Sequence, residues 1–211
     1  MNLCRARGWR RQPNSGESGA AAVEAAIVTP IVIVMLFGIV ELGFLFKDYL
    51  AASNAVQAGV RIASAAPRNT TFAQSAADRV ALSGGAMNLN DVQQLWIYKV
   101  APACPTCALT NKPDGFTDFS NCTTCVQFRW DAPTKKFVTT PNSAHPVLKD
   151  NWPANTQNAC SARGPGGPPD RIGVYLQFKH DAFTNFVFKT VTISEASVMM
   201  LEPIPVLTGC K

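Results

Sequence analysis

AAIVTPIVIVMLFGIVELGFLF, residues 25–46, is a run of 22 residues with a single charge, Glu41. Wound as a helix at 1.5 Å per residue it spans about 33 Å, the thickness of a bilayer's hydrocarbon core. The stretch is predicted to cross a membrane. Arg5, Arg7, Arg10 and Arg11 precede it, while Lys47 and Asp48 cancel just beyond it, so the positive-inside asymmetry keeps the N-terminus in the cytoplasm and exports the chain beyond Phe46. A cleavable secretory signal is the competing reading, because it too has basic residues before an apolar run and small residues such as Ala51 and Ala52 after it. Its apolar core is ordinarily about 7–15 residues, shorter than this one.

The rest of the composition agrees with one anchored domain. The 211 residues are 47% hydrophobic and 16% charged, with a mean hydropathy of +0.05, which excludes the low-hydrophobicity, high-charge signature of disorder. The length excludes a large multidomain enzyme. Of the formal net charge of +5, the four arginines and Glu17 place +3 in residues 1–19. The basicity therefore belongs to the N-terminus, and no nucleic-acid-binding face is expected.

Immediately before the apolar run the chain reads SGAAAVEAAIV, with Glu24 at the cytoplasmic edge of the span. A carboxylate costs about 2.5–3.5 kcal/mol toward the centre of a membrane helix and less near the interface, so it calls for a partner. A cut after Gly19 would supply one. The new amino group of Ala20 would head a helix whose fifth residue is Glu24, and a neighbouring subunit's carboxylate could neutralise it. Glu41 has no partner at i+3 or i+4; a carboxylate snorkelling at the outer surface and a contact between subunits are the two readings open to it. Pro30 removes a helical hydrogen bond but is tolerated within membranes, and it does not discriminate.

A basic leader, Gly19, four residues, Glu24 and an apolar helix resemble the prepilin-peptidase site of type IV pilins and pseudopilins. The longer stretch from Gly19 to the RIAS of residues 61–64, with the acid of Gly38-Ile39-Val40-Glu41-Leu42-Gly43, is more specifically similar to the TadE and TadG family of tight-adherence (Flp) pilus systems. The closing segments RIGVYLQFKHDAF and TVTISEASVMMLEP are similar to the same family, whereas the Cys-rich middle does not contribute. The resemblance implies a non-enzymatic minor pilin or pseudopilin of the bacterial cytoplasmic membrane. Gly19, Ala20 and Glu24 would form its processing site, with Glu24 and Glu41 as assembly contacts. The implied partners are a prepilin peptidase, other pilins or Tad assembly components and membrane lipids, with no nucleic acid and no cofactor. The alternative is an uncleaved, single-span binding module unrelated to pili.

Beyond the span, Ala51, Ala55, Ala58, Ile62 and Ala65 recur at spacings of 4, 3, 4 and 3, so the helix is predicted to continue with a small-residue seam. That seam would pack against its own domain or, alternatively, against neighbouring helices. A second helix is predicted over 71–82, ended by Gly84 and Gly85. Strands are predicted over 92–100, 125–130, 135–140, 171–179 and 190–201, the second and third forming a hairpin about a DAPT turn. Residues 141–170 read as a Pro-, Asn- and Gly-rich loop, irregular but ordered or partly flexible. The fold class is α+β: a long N-terminal transmembrane helix continuing outside the membrane, then a small, mostly antiparallel sheet. The expected organisation is a cleaved cytoplasmic leader at 1–19, the span at 20–46, an extracytoplasmic helical segment at 47–85 and a Cys-containing β-rich domain at 86–211.

Six of the seven cysteines lie outside the leader: Cys104, Cys107, Cys122, Cys125, Cys160 and Cys210. The paired CxxC spacing is near that of a zinc ribbon, yet an even count in an exported segment is what a disulfide framework needs. Disulfides are the expectation, with zinc and free or redox-active thiols as the alternatives. Of the fifteen possible connectivities, nested pairing of Cys104 with Cys125 and Cys107 with Cys122 across one bulged hairpin is favoured over crossed pairs and over closure within each CxxC, with Cys160 joined to Cys210. No P-loop, GxSxG, HExxH or dinucleotide motif occurs, and His145 and His180, the only histidines, read as surface or packing residues. The strand aromatics are expected in the core, together with those of the short DAFTNFVF connection (residues 181–188), although that connection could instead form an exposed patch.

Overall fold

The computed structural model describes residues 15–101, 111–160, 168–184 and 188–204, with side chains from residue 19 onward. Helix α1, Ser15–Ala65, runs unbroken through Pro30; at 51 residues it is about 77 Å long. Helix α2, Phe72–Ser83, folds back beside it. Five strands follow among the described residues: β1 Val92–Lys99, β2 Cys125–Asp131, β3 Lys136–Val138, β4 Arg171–Asp181 and β5 Thr190–Met200. They form one sheet in the order β3-β2-β1-β4-β5, with every pairing antiparallel. The α+β class stands as read from the sequence, and the predicted strand starts coincide with the observed ones except at β3, which begins at Lys136 rather than Lys135.

Two cores share the sheet. Alternation along the strands sends Leu95, Ile97, Val126, Phe128, Ile172, Val174, Leu176 and Phe178 to the face that both helices cover. Trp96, Tyr98, Cys122, Cys125 and Tyr175 pack on the opposite face, with Phe119 stacked on Tyr175 at 3.8 Å between ring centroids. Burial pushes the Tyr98 phenol well above its ordinary pKa, and its hydroxyl donates to the Asn111 carbonyl.

The seam on α1 does face the chain's own domain, but its line differs from the one predicted. Ala52, Ala55, Val56, Val60 and Ala63 are buried, while Ile62 and Ala65 are exposed. A repeat of 3.5 residues drifts by about 20° per heptad on a straight helix, which carries Ile62 and Ala65 off the contact. Gly84 follows α2 as predicted, though its φ is −86°. The residue is needed there for space rather than for a left-handed backbone, since a Cβ would come within 2.9 Å of the Val80 carbonyl oxygen as well as against the flexible end of Met87. The 141–170 loop is tied to the sheet edge: the Gln127 amide donates to the Lys149 carbonyl, and the Asn151 amide to the Cys125 carbonyl.

Candidate functional site

Every residue of the prepilin-like segment from Gly19 onward lies on α1. Gly19, Ala20 and Glu24 are exposed, and a Cβ added at Gly19 would meet nothing within 4 Å. Ala20 and Glu24 stand four residues apart, hence on one helix face about 5–6 Å apart at Cβ. An amine created at Ala20 would therefore lie on the same face as the Glu24 carboxylate.

From there to Val40 the helix is bare. Ile27, Ile31, Met35, Leu36 and Ile39 are each more than half exposed, and none of the most apolar window is buried against the protein. A helix that is apolar on every side has no water-stable orientation; it must enter a membrane or be covered by other chains. The length and composition are sufficient to cross a bilayer.

The bare segment ends at Glu41, which is 1% exposed. Its Oε1 accepts hydrogen bonds from the backbone N–H of Thr184 at 3.0 Å and from the Thr184 hydroxyl at 2.9 Å. Two turns further along, Asp48 Oδ2 lies 2.7 Å from Nδ1 of the buried His180. Glu195 on β5 is half-buried; desolvation holds its carboxyl above the usual range, opposed by a hydrogen bond from Tyr49. The end of the β4–β5 hairpin is thus fastened to α1 by polar contacts just where the exposed apolar helix gives way to packed helix.

Glu41 therefore has a partner within its own chain, one that a search at i+3 and i+4 could not find. The signal was present at longer range. Glu41, Leu45, Asp48 and Ala52 continue the buried seam backward at spacings of 4, 3 and 4, so both acids sit on the face that meets the sheet. Phe183, next to Thr184, is 80% exposed and corrects the expectation that the DAFTNFVF aromatics fill the core. The Thr184 amide and hydroxyl are directed at Glu41, and with the turn held that way the neighbouring Phe183 side chain stands clear of the apolar interior. Phe188 is half-buried near His180, and Phe186 falls outside the described residues. His145 sits in the loop, where its amide pairs with Asn142, and is not brought to His180.

The cysteines require a second correction. Cys122 is bonded to Cys125, with 6.0 Å between their Cα atoms, in place of the nested pairs with Cys107 and Cys104. Cysteines three apart on a regular strand point to opposite faces, but only Cys125 belongs to β2. Cys122 lies before the strand, where the chain bends and lets the two sulfurs meet. The bond also removes two thiolates from the zinc-ribbon spacing. Cys160 is disulfide-bonded as well; Cys104, Cys107 and Cys210 lie outside the described residues. Digestion without reduction should yield a fragment holding Cys122 and Cys125 linked to each other, and replacing both by serine should cost about 2 kcal/mol for so short a loop. Recovery of Cys122 joined to Cys107, or Cys125 to Cys104, would contradict the observed pair. Among the described residues no cluster of three or more His, Cys, Asp or Glu could hold a metal ion.

Residues 19–61 match the family model described as TadE-like protein. No curated protein and no solved structure matches the chain.

Proposed function

We propose that this TadE-like chain is a membrane-anchored minor pilin or pseudopilin that takes part in the assembly or function of a bacterial tight-adherence pilus. One observation carries the reading. The family match begins at Gly19 and ends at residue 61, so it covers the proposed cleavage position, the bare apolar helix and the helix side of the fastened junction as one continuous unit. In this account residues 1–19 are a cytoplasmic leader removed by a prepilin peptidase. The helix from Ala20 stands in the cytoplasmic membrane with the sheet domain outside, and other pilins or Tad components meet the helix. The chain needs no catalytic group of its own, since its chemistry is that of assembly.

The exposed position of Gly19 suits a peptidase that admits only a hydrogen at that site, while the arginines hold the leader at the inner face. Gly19→Val in the native host should leave the protein at full length in the membrane, and immunoblotting of extracted membranes should show the slower band alone. Normal processing of Gly19→Val, or an unprocessed wild type, would favour an uncleaved anchored binding module instead.

A further inference from the structure

We infer that Phe183, just beyond the end of β4, is a second membrane contact that enters the outer leaflet beside the helix that anchors the chain. The inference rests on the reading of residues 20–46 as a membrane span and adds the placement of the sheet domain relative to the lipid.

The height of Phe183 is set by its neighbour Thr184, whose amide and hydroxyl both donate to Glu41. Glu41 lies inside the 22-residue apolar run, five residues before its end at Phe46. Five residues of helix rise about 7.5 Å, so a bilayer that covers the apolar run would place Thr184 that far below its outer boundary, within the depth of about 5–10 Å at which apolar side chains of interfacial segments lie. Phe183 points outward at this level and is 80% exposed; Leu42, Phe44 and Phe46 of α1 are exposed at neighbouring heights. A shallow cleft of about 620 Å³ opens there between α1 and β5, lined by Leu42, Gly43, Leu45, Phe46, Tyr49, Val191 and Ile193. Its lining is apolar apart from the tyrosine hydroxyl, and its β5 side, Val191 and Ile193, stands opposite His180 and Phe178, so the cleft runs from the level of Leu42 up to the boundary marked by Lys47 and Asp48.

Charged residues begin one step higher. Lys47 and Asp48 on the helix, and Lys179 and Asp181 on β4, line a pocket together with Phe44 and Phe183, so the exposed aromatics border the charged groups that headgroups and water would meet. The hairpin also serves Glu41. A carboxylate at that depth is costly when left to lipid, and the Thr184 amide and hydroxyl provide donors that water provides elsewhere. Continuity with the span identifies lipid, rather than a second copy, as the occupant of this surface.

The test places the photoreactive amino acid p-benzoylphenylalanine separately at Phe183, at Ile39 within the span and at Ile62, which lies about 32 Å along α1 from Glu41. Each full-length variant is reconstituted in phosphatidylethanolamine–phosphatidylglycerol nanodiscs, irradiated and weighed intact. Lipid adducts are expected at Ile39 and Phe183, the latter at least about tenfold above Ile62. Adducts at Ile39 but none at Phe183 overturn the hairpin contact and leave the span standing. A covalent dimer through Phe183 assigns the surface to a second copy and overturns the contact as well. No lipid adduct at either position removes the span and the contact together, and equal labelling at all three positions refutes the depth assigned to the hairpin.

Discussion

Gly59→Ala is expected to lower the unfolding temperature of the detergent-solubilised protein, although the same change in an isolated helix would stabilise it by about 1 kcal/mol. A Cβ at Gly59 would stand 2.5 Å from Val80 Cγ2 and 3.3 Å from the Ala76 carbonyl oxygen, with Val174 Cγ1 3.7 Å away. Val80 and Val174 are fully buried, so neither can swing into solvent. Overpacking of this kind costs about 1–3 kcal/mol, which set against the helical gain lowers the unfolding temperature by up to roughly 8 °C for a protein of this size. Gly59→Val should be worse. Adding Val80→Ala removes the clashing methyl groups, so the double variant should be less destabilised than the sum of the two single changes. Strict additivity, measured by thermal melts followed by circular dichroism, would mean that α1 and α2 are not pressed together at this position.

Glu24→Ala is expected to abolish most pilus output while leaving the protein in the membrane at normal or higher abundance. Removing a carboxylate from the edge of the span lowers the cost of insertion, by at most the roughly 2.5–3.5 kcal/mol assigned to the helix centre. Glu24 touches no part of the sheet domain, because the helix around it is exposed on every side, so domain stability should not change. On the proposed cleavage after Gly19, what is lost is the counter-charge for the new amino group of Ala20, and with it the electrostatic reward for bringing helices side by side in a medium of low dielectric. Electron microscopy of the host and immunoblotting of its membranes separate the two effects. Normal pili with Glu24→Ala would show that the pairing has no role in assembly.

The fold was legible where local chemistry decides it. The aromatic and β-branched run of residues 92–99, the hairpin of β2 and β3, and the glycines after α2 each declare themselves within a dozen residues. Even there the mechanism at Gly84 differed, because what the position needs is space beside the Val80 carbonyl and Met87 rather than a left-handed backbone. The junction was legible only in part. Glu41 stood out as a charge in an apolar run, but its partner Thr184 is 143 residues away, and no periodicity within a helix points to it. Asp48 looked like half of a cancelling pair with Lys47, and that pair does form at 3.3 Å. Its second partner, His180, depends on how β4 lies across α1. Phe183 was hidden for the opposite reason, since an aromatic residue beside a strand is usually core and only the hairpin's attachment to the helix turns it outward. The Cys122–Cys125 bond depends on the bend that precedes β2, a conformation that CxxC spacing does not encode.

The intact mass of the wild-type protein extracted from native membranes tests the central claim most directly, because it reports leader removal and cysteine oxidation together. The account predicts a mass short of the unprocessed chain by residues 1–19 and lowered further by about 6 Da for three disulfides, with Ala20 as the amino terminus on sequencing. A mass that retains Met1 through Gly19, or that begins beyond residue 46, would contradict it.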